Sequence, residues 1–331
     1  MNLSAILLTL SVTALWGTDP CVPDQAVYFR MQLKQEAIRS PGHLKLSLAL
    51  TDSALLAETY SVRMSIWSEQ TLVRQQSLTL NPQEPVLFNM ACPAVRAHTT
   101  LRCRGELCIG EEVLEVKESL LSLWPPPQPL PIPTLPRRIW IFDISGRIQR
   151  LCEVLAVDST DATFQSVRDF STPEVLIVGE NTRTDQLQML IERFYHSSDS
   201  PVMVFLGQTE FPAHADVSIT NDTVVSYPVQ CDWNHPLLKG LQRRDLMTAV
   251  GRCRSLSISK EHHGRLDSVI RAPSPHGREH GSHLCLMHTR NQTQLYCQLP
   301  VTQASDPRHV ALFRNILVYS LSVLEQRPQG D

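Results

Sequence analysis

A chain of 331 residues has room for two domains of ordinary size, each able to bury a core without help from metals. Its 42% apolar and 19% charged residues are globular proportions, and a formal charge of -3 excludes the strongly basic footprint of a nucleic-acid or anionic-lipid binder. The one long apolar stretch, Leu3 to Trp16, is too short to span a bilayer, so no membrane span is expected.

That stretch ends in small residues ahead of Cys21, and residues 1–20 read as a signal peptide, which implies a secreted or periplasmic protein. No Lys or Arg precedes it, so a buried N-terminal strand or helix is the alternative. Thr18-Asp19-Pro20 before Cys21 is not a lipidation signal. The chain holds nine cysteines, and an odd count leaves at least one thiol unpaired. Cys103-Arg-Gly-Glu-Leu-Cys108 reads as a small hairpin, with Gly105 turning the chain so that the thiols meet. Zinc is the other candidate there, but no second Cys or His pair lies nearby at a ligand spacing, so no metal is expected.

Between residues 21 and 123, Leu44 to Leu50, Tyr60 to Trp67 and Ser77 to Leu80 alternate apolar and polar residues with period two, and Glu112 to Lys117 adds a further strand. Pro41-Gly42 and Asn81-Pro82 punctuate them. Short strands at this spacing predict an immunoglobulin-like β-sandwich. Residues 124–137, WPPPQPLPIPTLPR, carry seven prolines and read as a semi-rigid extended linker.

Beyond the linker, continuous apolar runs alternate with helical patterns. Ile139 to Phe142, Pro173 to Gly179 and Pro201 to Leu206 read as buried strands. Arg147 to Ala156 has helical spacing, and Leu187, Leu190, Ile191 and Phe194 mark one face of a second helix. Residues 216–275 read as loops with a few short strands. Leu284 to His288 and Thr293 to Leu299 then form a hairpin, and Asp306 to Leu324 a closing amphipathic helix. The pattern predicts a doubly wound, flavodoxin-like parallel sheet covered on both faces.

In such sheets ligands bind beyond the carboxyl ends of the strands, where this sequence places Asp143, Glu180, Gln208 and Glu210. Converging, they would bind a sugar hydroxyl or, as a carboxylate pair, carry out acid/base work; otherwise they cap helices or face solvent. Trp233, close to Asp232 and His235, offers either an aromatic platform for a sugar ring or a core side chain. Six histidines at 262, 263, 276, 280, 283 and 288 suggest a metal, but the interspersed Gly and Pro read as loop. Asn221 and Asn291 begin glycosylation triplets, which matter only in a eukaryotic secretory host.

The segments RRIWIFDISGR, PEVLIVGENT, VMVFLGQTEFP, HPLLKGLQRRDL and QLYCQLPVTQASDPRHVALFRNILVYSL resemble the C-terminal glutamine-amidotransferase-like domain of bacterial beta-galactosidase-like glycoside hydrolases. The resemblance implies a class I glutamine amidotransferase-like α/β domain over residues 138–331, preceded by an Ig-like module. No segment resembles the catalytic barrel of those enzymes. Active amidotransferases of this class carry a cysteine on a tight turn after a central strand, whereas here Val202 to Leu206 runs into Gly207-Gln208-Thr209. The expectation is therefore a non-catalytic accessory protein without cofactor, which binds a glycan or a protein such as a glycoside hydrolase. A hydrolase using the strand-end carboxylates and a structural oligomerisation subunit are the rivals.

Overall fold

The computed structural model describes residues 29–51, 59–80, 84–130, 138–164, 173–195, 200–211, 217–219, 230–249, 256–258, 265–272, 281–288, 292–301 and 303–326. The N-terminal apolar stretch, Cys21, Cys253, His262, His263, His276, His280, Asn221 and Asn291 lie outside them. The chain is mostly strand with few helices, and its largest sheet is mixed.

Among the described residues eight strands build the N-terminal part: β1 (Phe29–Leu33), β2 (Ala37–Arg39), β3 (His43–Leu50), β4 (Tyr60–Ser68), β5 (Thr71–Leu80), β6 (Val86–Ala91), β7 (Thr99–Ile109) and β8 (Glu112–Trp124). They form a three-stranded sheet, β1-β3-β6, and a five-stranded sheet, β2-β8-β7-β4-β5. Period-two alternation turns Leu44, Leu46 and Leu48 of β3 inward, where they share one core with Val62, Met64 and Ile66 of β4 and Leu101 and Leu107 of β7.

Cys103 and Cys108 do not flank a turn: both stand in β7, and both thiols are free. A Cβ added to Gly105 would lie 3.0 Å from the sulfurs of Met31 and Met64, so this glycine admits close packing within a strand. The turn is at Gly110, whose φ of 58° suits the tight β7–β8 connection. The proline run also differs at its start from a free spacer. β8 extends to Trp124, and Trp124 and Leu130 are buried among Ile139, Leu155 and Leu312 of the second core.

The rest of the chain contributes β9 (Ile139–Phe142), α1 (Arg147–Val154), β10 (Thr160–Asp161), β11 (Val175–Val178), α2 (Asp185–Tyr195), β12 (Val202–Leu206), β13 (Val217–Ile219), β14 (Gln230–Cys231), α3 (Arg243–Ala249), β15 (Leu256–Ile258), β16 (Arg265–Ala272), β17 (Gly281–His288), β18 (Thr293–Cys297) and α4 (Pro307–Glu325). Strands β10-β9-β11-β12-β18 are parallel neighbours. β17 joins β18 antiparallel as the expected hairpin, and β16, β15, β14 and β13 extend the sheet antiparallel. The parallel sheet expected from the sequence is thus a mixed one, of ten strands among the described residues. The region read as mostly loop contains α3 and the eight-residue β16. Register shifts between Ser268 and Arg271 break the period-two pattern of β16 and hide it from sequence reading.

Alternation assigns each parallel strand a residue set per face. On one face Ile139, Ile141, Ile177 and Val204 pack against α1 through Ile148 and Leu151 and against α4 through Phe313, Ile316 and Leu317. On the other, Trp140, Phe142, Leu176 and Met203 pack against α2 through Leu187, Leu190, Ile191 and Phe194. Buried on both sides, these strands read as the unbroken apolar runs IWIF, VLIV and VMVFL.

The sandwich and the mixed sheet meet at a polar seam. Asp245, 1% exposed on α3, accepts from Ser122 Oγ of β8 at 3.1 Å and from Gln242 N at 2.9 Å. His98 Nδ1 lies 3.8 Å from the same carboxylate, and its ring stacks on Trp124 with centroids 3.9 Å apart. Alongside, Arg39 of β2 donates to Ala304 O at 2.5 Å and Arg308 of α4 pairs with Glu36 at 3.6 Å.

Candidate functional site

Asp143, Glu180, Gln208 and Glu210 do come to one end of the sheet, since they follow β9, β11 and β12. Their local roles differ. Asp143 is 3% exposed: Oδ1 accepts from Ser145 N at 3.0 Å and Ser145 Oγ at 2.6 Å, and Oδ2 from Ile148 N at 2.7 Å. It is the anchor of the turn into α1, so its carboxylate is consumed by structure. A side chain at Gly179 would strike Asp143 Cγ at 2.7 Å, and glycine is what lets the two strand ends close on each other. Glu180 pairs with Arg147 at 3.0 Å, and Glu210 pairs with Arg183. Each of these three carboxylates thus has a partner within the chain.

Gln208 is buried at 4% exposure on the turn after β12. Its Nε2 donates to Gly179 O at 2.5 Å and Leu206 O at 2.9 Å, with Val178 O at 3.4 Å. All three neighbours are acceptors, so the amide nitrogen must face them and the orientation of the carboxamide follows from chemistry. Gln298 Nε2 from the end of β18 donates to Gln208 O at 3.1 Å and ties the turn to the next strand.

Gln208 and Glu210 line a cavity of about 440 Å³ between these strand ends and α2, within the range of about 300–1,000 Å³ of small-molecule sites. Its apolar side is Val178, Leu187, Ile191, Phe205 and Phe211; its polar side adds Thr182, Arg183, Thr184, Asp185 and Gln188. Phe211 stands edge-on to Phe205 at 6.0 Å and to Tyr296 at 5.1 Å, which fixes the aromatic wall. Thr184 Oγ1 caps α2 by accepting from Leu187 N at 3.0 Å. Asp143 and Glu180 do not line this cavity. Arg183, Gln188 and Phe211 escaped the sequence reading; their signal was position, in the loop after β11, on the first turns of α2 and in the loop after β12.

Trp233 and His235 lie elsewhere, beyond β14. Trp233 is 41% exposed, so the core alternative does not hold. His235 Nδ1 accepts from Leu237 N at 3.2 Å, capping the short turn Pro236–Leu238, and its ring leans on Tyr319 of α4 with centroids 5.2 Å apart. His288 Nε2 faces Asp267 at 3.6 Å and its Nδ1 faces Thr293 Oγ1 at 3.2 Å. Among the described residues no group of three His, Cys, Asp or Glu side chains is placed to hold a metal ion.

Burial lowers the pKa of His98, His235, His288 and His309 below the ordinary 6.5, although Asp245, Asp232, Asp267 and Asp306 respectively pull the other way. Unfolding frees these imidazoles to take up protons. Stability should therefore be full above about pH 6.5 and fall as the pH drops through it, because the unfolded chain binds more protons there. Urea midpoints measured between neutral and mildly acidic pH check this, and a midpoint that rises on acidification contradicts it.

Five thiols are held protonated by the same force. Burial pushes Cys103 and Cys285 up to about 12 and Cys152 up to about 11, and raises Cys92 and Cys231. Such thiols are poor nucleophiles. Cys297, fully buried within β18, is on a strand and not on a turn.

No family model and no curated protein matches this chain. Solved structures give distant likenesses. A complex of zinc 2-glycoprotein and prolactin inducible protein from human seminal plasma is 10% identical with a TM-score of 0.21, covering 30% of this chain and 93% of that chain. Parabacteroides merdae beta-glucuronidase is 11% identical with a TM-score of 0.24, covering 54% and 24%. A Paenibacillus sp. cycloisomaltooligosaccharide glucanotransferase complexed with cycloisomaltoheptaose is 10% identical with a TM-score of 0.27, covering 70% and 32%. The chain thus spans only 24% and 32% of the lengths of these two enzymes.

Proposed function

We propose that this is an exported, non-catalytic accessory protein of carbohydrate-active systems, in which an Ig-like sandwich carries a flavodoxin-like unit that binds ligand at its strand ends. The cavity beside Gln208 is the observation that carries the reading: it is large enough for a small ligand, and its one lining cation, Arg183, is paired with Glu210. The order β10-β9-β11-β12-β18, with helices on both faces, supports the flavodoxin-like assignment. Sheets β1-β3-β6 and β8-β7-β4-β5 support the Ig-like one. The turn after β12, where the amidotransferase resemblance implies a nucleophile, holds Gln208, whose amide nitrogen is bound to backbone carbonyls. Among the described residues no helix is long and apolar enough to cross a membrane.

Retention on a glycan array together with no ammonia release from glutamine and no cleavage of chromogenic glycosides is the expected result. Ammonia release abolished by a single Cys→Ser change would overturn the non-catalytic reading. A protein partner is a second reading, favoured by one surface feature. Leu120, Arg102, Trp67 and Leu72 are opposed across β8, β7, β4 and β5 on the outer face of the sandwich, with the Arg102 guanidinium 5.8 Å from the Trp67 ring centre. Leu120 is 56% and Leu72 42% exposed. Light scattering of the purified chain shows whether that row pairs copies of it.

A further inference from the structure

We infer that the cavity beside Gln208 selects a neutral polyhydroxylated ring, an uncharged hexose unit, and that one of its hydroxyls donates to Gln208 Oε1. The inference rests on the ligand-binding reading of this cavity and adds the charge class and the orienting contact. With Nε2 committed to carbonyl oxygens, the carboxamide can offer only its oxygen to a ligand. Oε1 meets no protein donor among the described residues, and Gln208 lines the cavity. A buried acceptor held this rigidly favours a ligand that supplies a proton, and a hydroxyl does so without bringing charge.

Electrostatics argue against an anion. The charged lining side chains are one cation, Arg183, against two carboxylates, Asp185 and Glu210, and Arg183 is already paired with Glu210. Asp185 sits in the first turn of α2 and offsets the positive end of that helix, where a phosphate or uronate would otherwise be drawn. A cation fares no better at depth. The acidic groups are exposed at the rim, Glu210 at 68%, while the interior wall is Val178, Leu187, Ile191, Phe205 and Phe211, against which any charge would be costly to desolvate. What suits one apolar wall, one fixed acceptor and polar lining groups such as Thr184 and Gln188 is a ring with a C–H face and a hydroxyl edge.

The test is titration calorimetry of the full chain with D-glucose and D-galactose, their uronates, D-glucosamine and inorganic phosphate, repeated on Gln188→Trp. Position 188 is exposed on α2 and lines the cavity, so the indole fills the space without entering the core. A neutral hexose is expected to bind about tenfold or more tightly than its uronate or amine, to lose binding in Gln188→Trp, and to weaken about tenfold when one particular hydroxyl is removed in a monodeoxy series. A uronate, phosphate or amino sugar that binds as well as the neutral hexose, and is blocked by Gln188→Trp, overturns the charge class and leaves the cavity as the site. Hexose binding indifferent to Gln188→Trp removes the cavity reading itself. Failure of every monosaccharide to bind overturns this inference, while the glycan array still decides the broader one.

Discussion

Replacing Phe313 with alanine should lower the unfolding free energy by about 3–5 kcal/mol, seen as a lower urea midpoint with little change in slope. Phe313 is fully buried on α4 and shares a core with Leu151, Val204 and Leu295, so removal of its ring leaves a hole bounded by a sheet and two helices. Neither sheet nor helix can collapse freely into that hole, which places the cost toward the upper part of the range. Val318→Ala on the same helix is the control: at 37% exposure it should change stability by no more than about 0.5 kcal/mol. Equal losses from the two substitutions would mean that α4 is not seated on the sheet by this face. Phe194→Ala tests the opposite face through α2, and because the sheet separates the two rings the losses should add.

The central strands and helices were legible because their environment is simple. IWIF, VLIV and VMVFL are buried on both sides, so every position had to be apolar, and the faces of α2 and α4 followed from 3.6-residue spacing. β16 was not legible because its bulge shifts the inward register partway along. Gly105 misled for a related reason: glycine marks a turn in one setting and a close approach in another, and only the neighbouring Met31 and Met64 sulfurs decide between them. The site was half legible. Strand ends pointed to Gln208 and Glu210, but the same rule also selected Asp143, whose carboxylate is taken up by the turn into α1, and Glu180, which pairs away from the cavity with Arg147. Arg183 and Phe211 line one cavity only because β11 and β12 are parallel neighbours, a pairing no local pattern encodes.

Asp245→Ala is expected to cost about 2–5 kcal/mol, although the residue lies on a helix of only seven residues. The carboxylate binds two groups from different parts of the chain, Ser122 Oγ on β8 and Gln242 N at the start of α3, and it faces His98. Without it the Ser122 hydroxyl is left in a buried seam at about 1–3 kcal/mol, the part-buried Gln242 amide loses its acceptor, and His98 loses the one charge that opposes its desolvation and the nearby Arg244 through space. Asp245→Asn, which keeps one carbonyl acceptor, should lose less. A double-mutant cycle with Ser122→Ala separates the seam from the helix start, with a coupling of about 0.5–3 kcal/mol expected for groups in direct contact. Hydrogen exchange then distinguishes two kinds of loss. If Asp245 joins the sandwich to the mixed sheet, amides of β8 and of α4 should exchange faster together in Asp245→Ala, because β8 carries Ser122 and Trp124 into the seam while Arg308 of α4 reaches across it to Glu36. Faster exchange confined to α3 would reduce Asp245 to a local helix-start residue and leave the two halves held by their apolar contact through Ala37, Trp124 and Leu130.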